Sequence, residues 1–249
     1  MGNLLINLLK NLLTIPDFKG KRELIHEMFT KFLLKPNARV DAHAHLSNKE
    51  GHQYQTDIRN WIKPETAFTD AKNKKDLNIL AEDDNLFIIG NKSSFSEGQY
   101  PDEPGRAGMS MVHILIITKA NYFNAVSLRS EDAHIIDDMK ELFRSSWAQP
   151  QFREAVLQHQ RNAIENRGRE TPEGLEQARK QVQKLENIIH KLRFKHFTFG
   201  FHLWPHNSVG HLHMHVIAMP KKCRRYSTKV HDEKTMDVQE VRDEIVSRH

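Results

Sequence analysis

Three histidines at alternating positions are the residues of this chain best placed to do chemistry. His211, His213 and His215 alternate with apolar residues near the C-terminus. Alternation is the period of a β-strand, so the three imidazoles are expected to project from one face and the apolar residues from the other. Because the ordinary pKa of histidine lies near physiological pH, this row suits nucleophilic and acid–base work.

A metal site is the first chemistry to weigh for this row. On a strand, residues two apart are separated by roughly 6.6 Å, and His211 and His215 by about 13 Å. Zinc–nitrogen bonds measure about 2 Å, so one strand cannot wrap all three side chains around a single ion. A neighbouring pair with a ligand from elsewhere stays open, as does a purely structural role. Few acidic residues or cysteines lie nearby, so we predict no metal and no cofactor.

Covalent chemistry at phosphorus needs no metal and suits the row better. A neutral imidazole nitrogen can attack a phosphorus centre when a hydrogen bond to its other nitrogen fixes the tautomer. The flanking histidines can then donate to phosphate oxygens, where charge accumulates. The hydroxyl of Ser208, just before the row, can donate to the leaving group or to a phosphate oxygen. The row therefore favours nucleophilic attack on a phosphate compound.

Composition indicates a globular protein with an anionic partner. The 249 residues fit one domain with elaborations or two small ones, and 38% of them are hydrophobic. The net charge of +5 and pI of about 9.2 favour phosphates, but are too mild to imply nucleic-acid binding. The single cysteine, Cys223, excludes an intrachain disulfide and a thiolate-rich zinc site. It fits a reducing compartment, the cytoplasm or the nucleus.

Residues 1–75 are expected to form a helical extension. Residues 1–15 predict an amphipathic helix, docked on the protein itself, on a dimer partner or on a membrane surface, and a second helix is predicted over residues 22–34. His43 and His45 follow Asp41 as in the first metal-ligand strand of the amidohydrolases. The repeated strand–helix units of that barrel do not follow, so a surface or dimer-contact segment is expected.

The rest of the chain predicts an α+β fold of strands interrupted by helices. A near-heptad apolar stripe within the helical insertion indicates a helical hairpin or a dimer seam. The predicted elements are a hairpin over residues 77–92, a strand over 111–119, a helix over 131–147, a helical insertion over about 148–193, strands over 194–201 and 211–217, and a basic tail over 221–249.

The row matches the His-φ-His-φ-His-φ-φ signature, and the chain thereby resembles the histidine-triad (HIT) superfamily and its Hint-like branch. Residues 113–119 are similar to the family's His-x-Leu-φ-Ile-Pro-Lys strand, with Thr118 in place of proline. Residues 87–91 resemble its nucleotide-side strand, and residues 200–209 its Gly-Phe-His…Asn-Ser approach, with a bulkier Trp204 region. The similarity covers about residues 77–147 and 194–220. It implies a HIT-like domain over residues 76–220, an antiparallel sheet with helices packed on it.

The resemblance also implies the catalytic roles. His213 would be the nucleophile and would form a nucleotidyl-histidine intermediate, while His211 and His215 orient it and bind the α-phosphate. His113 would extend this hydrogen-bond relay, and Ser208 would contact the phosphate or the leaving amine.

Nucleotide binding is implied on the same grounds. Asn91 would hold the ribose, Phe87 and Ile89 would offer an apolar wall to the base, and Asn207 belongs to the approach motif. Members of the family are commonly homodimers that act on nucleoside phosphoramidates or related adenylylated compounds. Two alternatives remain: a diverged enzyme for a non-nucleotide substrate, and a non-catalytic nucleotide sensor whose basic tail and heptad helix bind a partner.

Overall fold

The chain folds as an α+β protein, as the sequence predicts. The computed structural model describes residues 18–34, 66–74, 77–91, 108–168, 172–224 and 231–248. These residues form a six-stranded sheet with helices packed against it. None of the helices in these ranges has the length and apolar content that crossing a bilayer requires.

Neighbouring strands of the sheet are antiparallel to each other. Its strands are β1 (Ile79–Glu82), β2 (Leu86–Gly90), β3 (His113–Thr118), β4 (Phe197–His202), β5 (His213–Ala218) and β6 (Thr235–Asp237). Their order is β1-β2-β3-β5-β4-β6, so β3 and β5 are central although they are distant in sequence. The β1–β2 turn is closed by Asp83, whose carboxylate accepts hydrogen bonds from the amides of Asn85 and Leu86.

Helices cover one face of this sheet. They are α1 (Arg22–Leu33), α2 (His134–Ala148), α3 (Pro150–Gly168), α4 (Pro172–Ile189), α5 (Lys221–Arg224) and α6 (Val238–Ser247). In α2, Ile136, Met139 and Phe143 recur at helical spacing and are fully buried. Helices α3 and α4 pack on each other, and Leu185 and Ile189 of α4 join the main core. Val182, Leu185 and Ile189 of the predicted apolar stripe are therefore buried within this chain.

Alternate residues of the central strands face opposite sides of the sheet. Those on the helical side are fully buried, namely Ile114, Ile116, Met214 and Val216. The intervening residues lie on the other face, where the register places His213 opposite Ile117 and His215 opposite Leu115. This second face carries the candidate site.

The strand that carries the histidine row begins later than predicted. β5 starts at His213, so the expectation that all three histidines share one strand is wrong for His211. The last β3–β5 pair joins Ile117 to His213, and β3 ends one residue later at Thr118. The ladder therefore stops before His211, whose ring bonds to the carbonyl oxygen of Thr118 instead.

Residues 231–248 belong to the folded body, although the sequence placed them in a basic tail with at best a short amphipathic helix over residues 237–249; that helix is present as α6. β6 pairs with β4, and α6 buries Val241 and Ile245. Glu240 of α6 accepts hydrogen bonds from the backbone amides of Gly20 and Lys21, at 2.8 and 3.1 Å, and so neutralises the N-terminal end of α1. The three residues of β6 are too few to show a period in the sequence.

Some sequence predictions fall on residues outside the described ranges. They are the amphipathic helix over residues 1–15, the segment with His43 and His45, and most of the loop after β2.

Candidate active site

His213 lies at the start of β5 and is only 6% exposed. Its Nδ1–H donates to the carbonyl oxygen of His211 at 2.7 Å, which leaves the lone pair on Nε2. Burial lowers the pKa of His213, against the opposite effect of that hydrogen bond, so the ring is neutral at pH 7. Among the described residues, Nε2 has no hydrogen-bond partner. His213 is thus a neutral imidazole of fixed tautomer with an available lone pair.

His113 and His215 form a directed pair beside it. The amide of Met109 donates to Nδ1 of His113, so Nε2 of His113 carries the proton and donates to Nδ1 of His215 at 2.9 Å. His215 must then carry its own proton on Nε2, and this buried N–H has no partner within the described chain. The rings of His213 and His215 are 5.1 Å apart. A ring with a free lone pair and a ring with an unsatisfied donor are therefore neighbours in the site.

His211 has no ring nitrogen left for a ligand. Its Nε2–H donates to the carbonyl oxygen of Thr118 at 2.7 Å, and its Nδ1 accepts from the hydroxyl of Thr66 at 3.0 Å. The side chain is fully buried. These contacts fix the loop whose carbonyl orients the ring of His213.

His202 of β4 joins the cluster, although sequence reasoning gave it no role. Its ring centroid lies 4.0 Å from that of His215, and its Nε2–H donates to the hydroxyl of Thr235 at 3.0 Å. A signal for it was present in the sequence. His202 falls two residues after Gly200, which pairs with His215, so the strand period puts it on the same face.

The cluster is kept neutral by its surroundings. Burial, with nearby positive charges adding to the effect, lowers the pKa of His113 to about 3 and that of His202 to about 2. Burial and the neighbouring histidines lower the pKa of His215 well below its ordinary value. Lys234 and Arg224 are among the charges that act on these rings. Neutral donors in a positive field suit an anionic ligand.

Arg224 contributes to that field from a buried position. Its side chain is 3% exposed, and Nη2 donates to both carboxylate oxygens of Asp232 at 2.7 and 2.6 Å. Its Nε and Nη1 have no partner among the described residues. The neighbouring Cys223 is buried, which raises the pKa of its thiol to about 12, so it is not a nucleophile.

An apolar wall adjoins the histidines on the same face of the sheet. It consists of Phe87, Ile89, Leu115 and Ile117. Asn91 follows β2 and its Nδ2 lies 3.2 Å from Nε2 of His113. The structure thus brings together the histidines, the apolar residues predicted to contact the base, and Asn91, which is predicted to bind the ribose.

The approach to β5 is only partly joined to the site. Asn207 is 3% exposed, its Nδ2 donates to the carbonyl of Val209, and its Oδ1 has no partner in the described chain. Ser208 is exposed and makes no hydrogen bond with the described histidines. The ring of Trp204 packs edge-on against Phe32 of α1, 5.9 Å away, within the main core.

Residues 66–74, called the cap segment below, cover the histidines. The ring of Phe68 lies 5.4 Å from that of His213 and 5.8 Å from that of His211, edge-on to both. Sequence reasoning missed this segment because residues 16–75 show no sustained period and carry no motif at these positions.

Helix α3 supports the end of β2 through His159, another residue that the sequence did not indicate. Its Nε2 lies 3.0 Å from the carbonyl oxygen of Asn91, and a Cβ at Gly90 would meet the ring at 2.2 Å. We expect Gly90→Ala to lower the free energy of unfolding by about 2 kcal/mol through overpacking. Urea titration of Gly90→Ala, His159→Ala and the double variant checks this. Full additivity of the two single effects would contradict the contact.

Among the described residues, no group of three or more His, Cys, Asp or Glu side chains is arranged to hold a metal ion. In comparisons with known proteins, no family model, curated protein or solved structure matches this chain. What the site does must therefore be inferred from its own geometry.

Proposed function

We propose that this chain is a HIT-like enzyme that cleaves the phosphorus–nitrogen or phosphoanhydride bond of adenylylated small molecules through a nucleotidyl-histidine on His213. One observation supports the proposal: the ring of His213, with a lone pair on Nε2, lies 5.1 Å from the ring of His215, which carries an unsatisfied N–H. A nucleophile and an adjacent donor are what attack on a phosphate diester or amidate requires.

In the first step, Nε2 of His213 attacks the α-phosphorus and the bond to the leaving amine breaks. The amine departs with a proton from solvent, and in this proposal the hydroxyl of Ser208 relays that proton. Nε2–H of His215 donates to a non-bridging oxygen, an interaction worth about 3 kcal/mol in comparable sites. Water then attacks the phosphorus, the bond to Nε2 breaks, and a nucleoside monophosphate leaves.

The remaining residues act through these two rings or on the nucleotide. His113 keeps the proton of His215 on Nε2, and His211 is a positioning residue because both of its ring nitrogens bond to the protein. The base lies on the apolar wall of Phe87 and Ile89, and the amide of Asn91 binds the ribose. The function requires no cofactor, and the homodimer expected from the resemblance stays a prediction.

Trapping the covalent intermediate tests the proposal directly. The protein is mixed with an adenosine phosphoramidate, quenched in alkali and examined by mass spectrometry. We expect an added adenylyl group on His213, no adduct in His213→Ala, and a normal adduct in His190→Ala, which alters an exposed histidine after α4. Consumption of substrate with no adduct, or with an adduct on another residue, would overturn the assignment.

A second candidate uses the same histidines on a phosphate compound that lacks a base. It is favoured by Phe68 and Ala71 of the cap segment, which already cover the apolar wall. Thermal unfolding with nucleoside monophosphates separates the two candidates. A ligand that binds only the folded state raises the Tm, so stabilisation by adenosine monophosphate supports the first candidate, and no stabilisation by any nucleotide supports the second.

A further inference from the structure

The cap segment occupies the surface on which the proposed function places the base. Phe68 and Ala71 are 9% and 2% exposed and share one apolar cluster with the wall. Phe68 also lies edge-on to the ring of His213, at 5.4 Å. An aromatic side chain of the protein therefore sits where an aromatic base would meet both the wall and the nucleophile.

Among the described residues, the side chains of the cap segment make few polar contacts with the rest of the protein. Thr66 donates to Nδ1 of His211 at 3.0 Å, and the hydroxyl of Thr69 donates to Oδ1 of Asn121 at 3.0 Å. Lys72 pairs with Glu82 at 2.9 Å, but their side chains are 59% and 40% exposed, so the pair contributes little. The closed position thus depends mainly on the burial of Phe68 and Ala71, which a base of similar size can replace.

We infer that residues 66–74 form a cap that shields His213, and that Phe68 competes with the base of a bound nucleotide for the apolar wall. This inference rests on the proposed function, because that function places the base there. Phe68 is then the residue that sets which ligands gain entry: a substrate must offer an apolar or aromatic group able to displace it. Inorganic phosphate, which has none, should bind poorly.

The inference makes a quantitative prediction for Phe68→Ala. When only the open fraction binds, the apparent Kd equals the intrinsic Kd divided by that fraction. Truncating Phe68 weakens closure, so the Kd of adenosine monophosphate is expected to fall about tenfold, as measured by calorimetry. Phe152→Ala is the matched control, because it removes the same atoms from a ring that is 6% exposed in the core beside α2. It should leave the Kd unchanged.

The accessibility of His213 to a small reagent can be measured without any nucleotide. Diethyl pyrocarbonate acylates neutral imidazole nitrogens, and tandem mass spectrometry locates the modified histidine. We expect slow modification of His213 in the native chain, and modification about tenfold faster in Phe68→Ala, in proportion to the larger open fraction. Thr66→Val keeps the shape of the cap but loses the donor to His211, so it should show a smaller increase.

The outcomes separate the cap from the proposed function. Faster modification together with tighter nucleotide binding supports both. Faster modification with no nucleotide binding to any variant supports shielding by Phe68 but overturns the nucleotide function and the competition with it. Unchanged modification in both cap variants overturns the cap. Weaker nucleotide binding by Phe68→Ala would also overturn the competition, because it would make Phe68 a stacking partner of the base.

Discussion

Replacing His213 with alanine is expected to lower turnover of an adenosine phosphoramidate by about 10⁴-fold or more, the range seen when a covalent nucleophile is removed. The loss is expected because Nε2 of this neutral ring carries a lone pair, and the ring lies 5.1 Å from that of His215. The fold should survive, because among the described residues the ring makes one hydrogen bond, through Nδ1. Release of product is measured by chromatography, and integrity by circular dichroism.

Two further variants decide whether His213 is a nucleophile or only a binding group. Free imidazole added to His213→Gly should restore part of the turnover, because it can enter the space and attack the phosphorus. His190→Ala controls for the loss of a histidine elsewhere. Turnover of His213→Ala within tenfold of the native rate would sink the mechanism.

His211 offers an instructive contrast with His213. Its two ring nitrogens bond to Thr118 and Thr66, so its removal leaves buried polar groups unpaired. Replacing His211 should therefore lower the free energy of unfolding as well as the rate of turnover. The division of the row into one nucleophile, one donor and one positioning residue comes from these different partners.

The sequence was sufficient for those parts of the fold that have strong local periods. Apolar alternation or helical spacing predicts four elements that the structure contains, namely strands β2, β3 and β5 and helix α2. The pairing of β3 with β5 places His113 beside His215, a contact between positions 102 residues apart. No period could supply that contact, and it was expected only through the family resemblance.

Other parts of the site carry no local signal. Thr66 and Phe68 lie in a stretch without a period, and their importance arises from tertiary contacts with His211 and His213. In the sequence, His159 is one polar residue of a polar helix. Its importance comes from the close contact of its ring with Gly90. Residues of this kind become visible only when the chain is folded, because what defines them is the partner rather than their own pattern.

The stability of the protein is expected to fall steeply as the pH drops below about 6.5, the ordinary pKa of histidine. Burial and neighbouring charges lower the pKa of His113 to about 3 and that of His202 to about 2 in the folded chain. Below pH 6.5 these two histidines therefore bind protons in the unfolded chain, whereas in the folded chain they stay neutral. Each such group costs about 1.4 kcal/mol per pH unit.

The sign and the size of this effect follow from those pKa values. The stability is complete above pH 6.5 and is lost as the pH falls toward the lowered pKa values in the folded state. Between pH 6.5 and 5, the two groups together cost about 4 kcal/mol. The pKa values of His213 and His215 are lowered too, so these two groups also reduce the free energy of unfolding as the pH falls. Since a domain is typically stable by about 5–15 kcal/mol, a loss of this size is readily measured.

Urea titrations at pH 7.5, 6.5, 5.5 and 5.0 measure the slope, and His202→Gln tests its origin. The amide of glutamine can reach the position of Nε2 and donate to the hydroxyl of Thr235 but does not titrate, so the slope below pH 6.5 should fall by about 1.4 kcal/mol per pH unit. His190→Gln serves as the control for losing a histidine. A stability independent of pH from 7.5 to 5, or an unchanged slope in His202→Gln, would contradict the buried neutral cluster. The same neutrality that leaves His213 its lone pair at pH 7 thus makes the fold sensitive to acid.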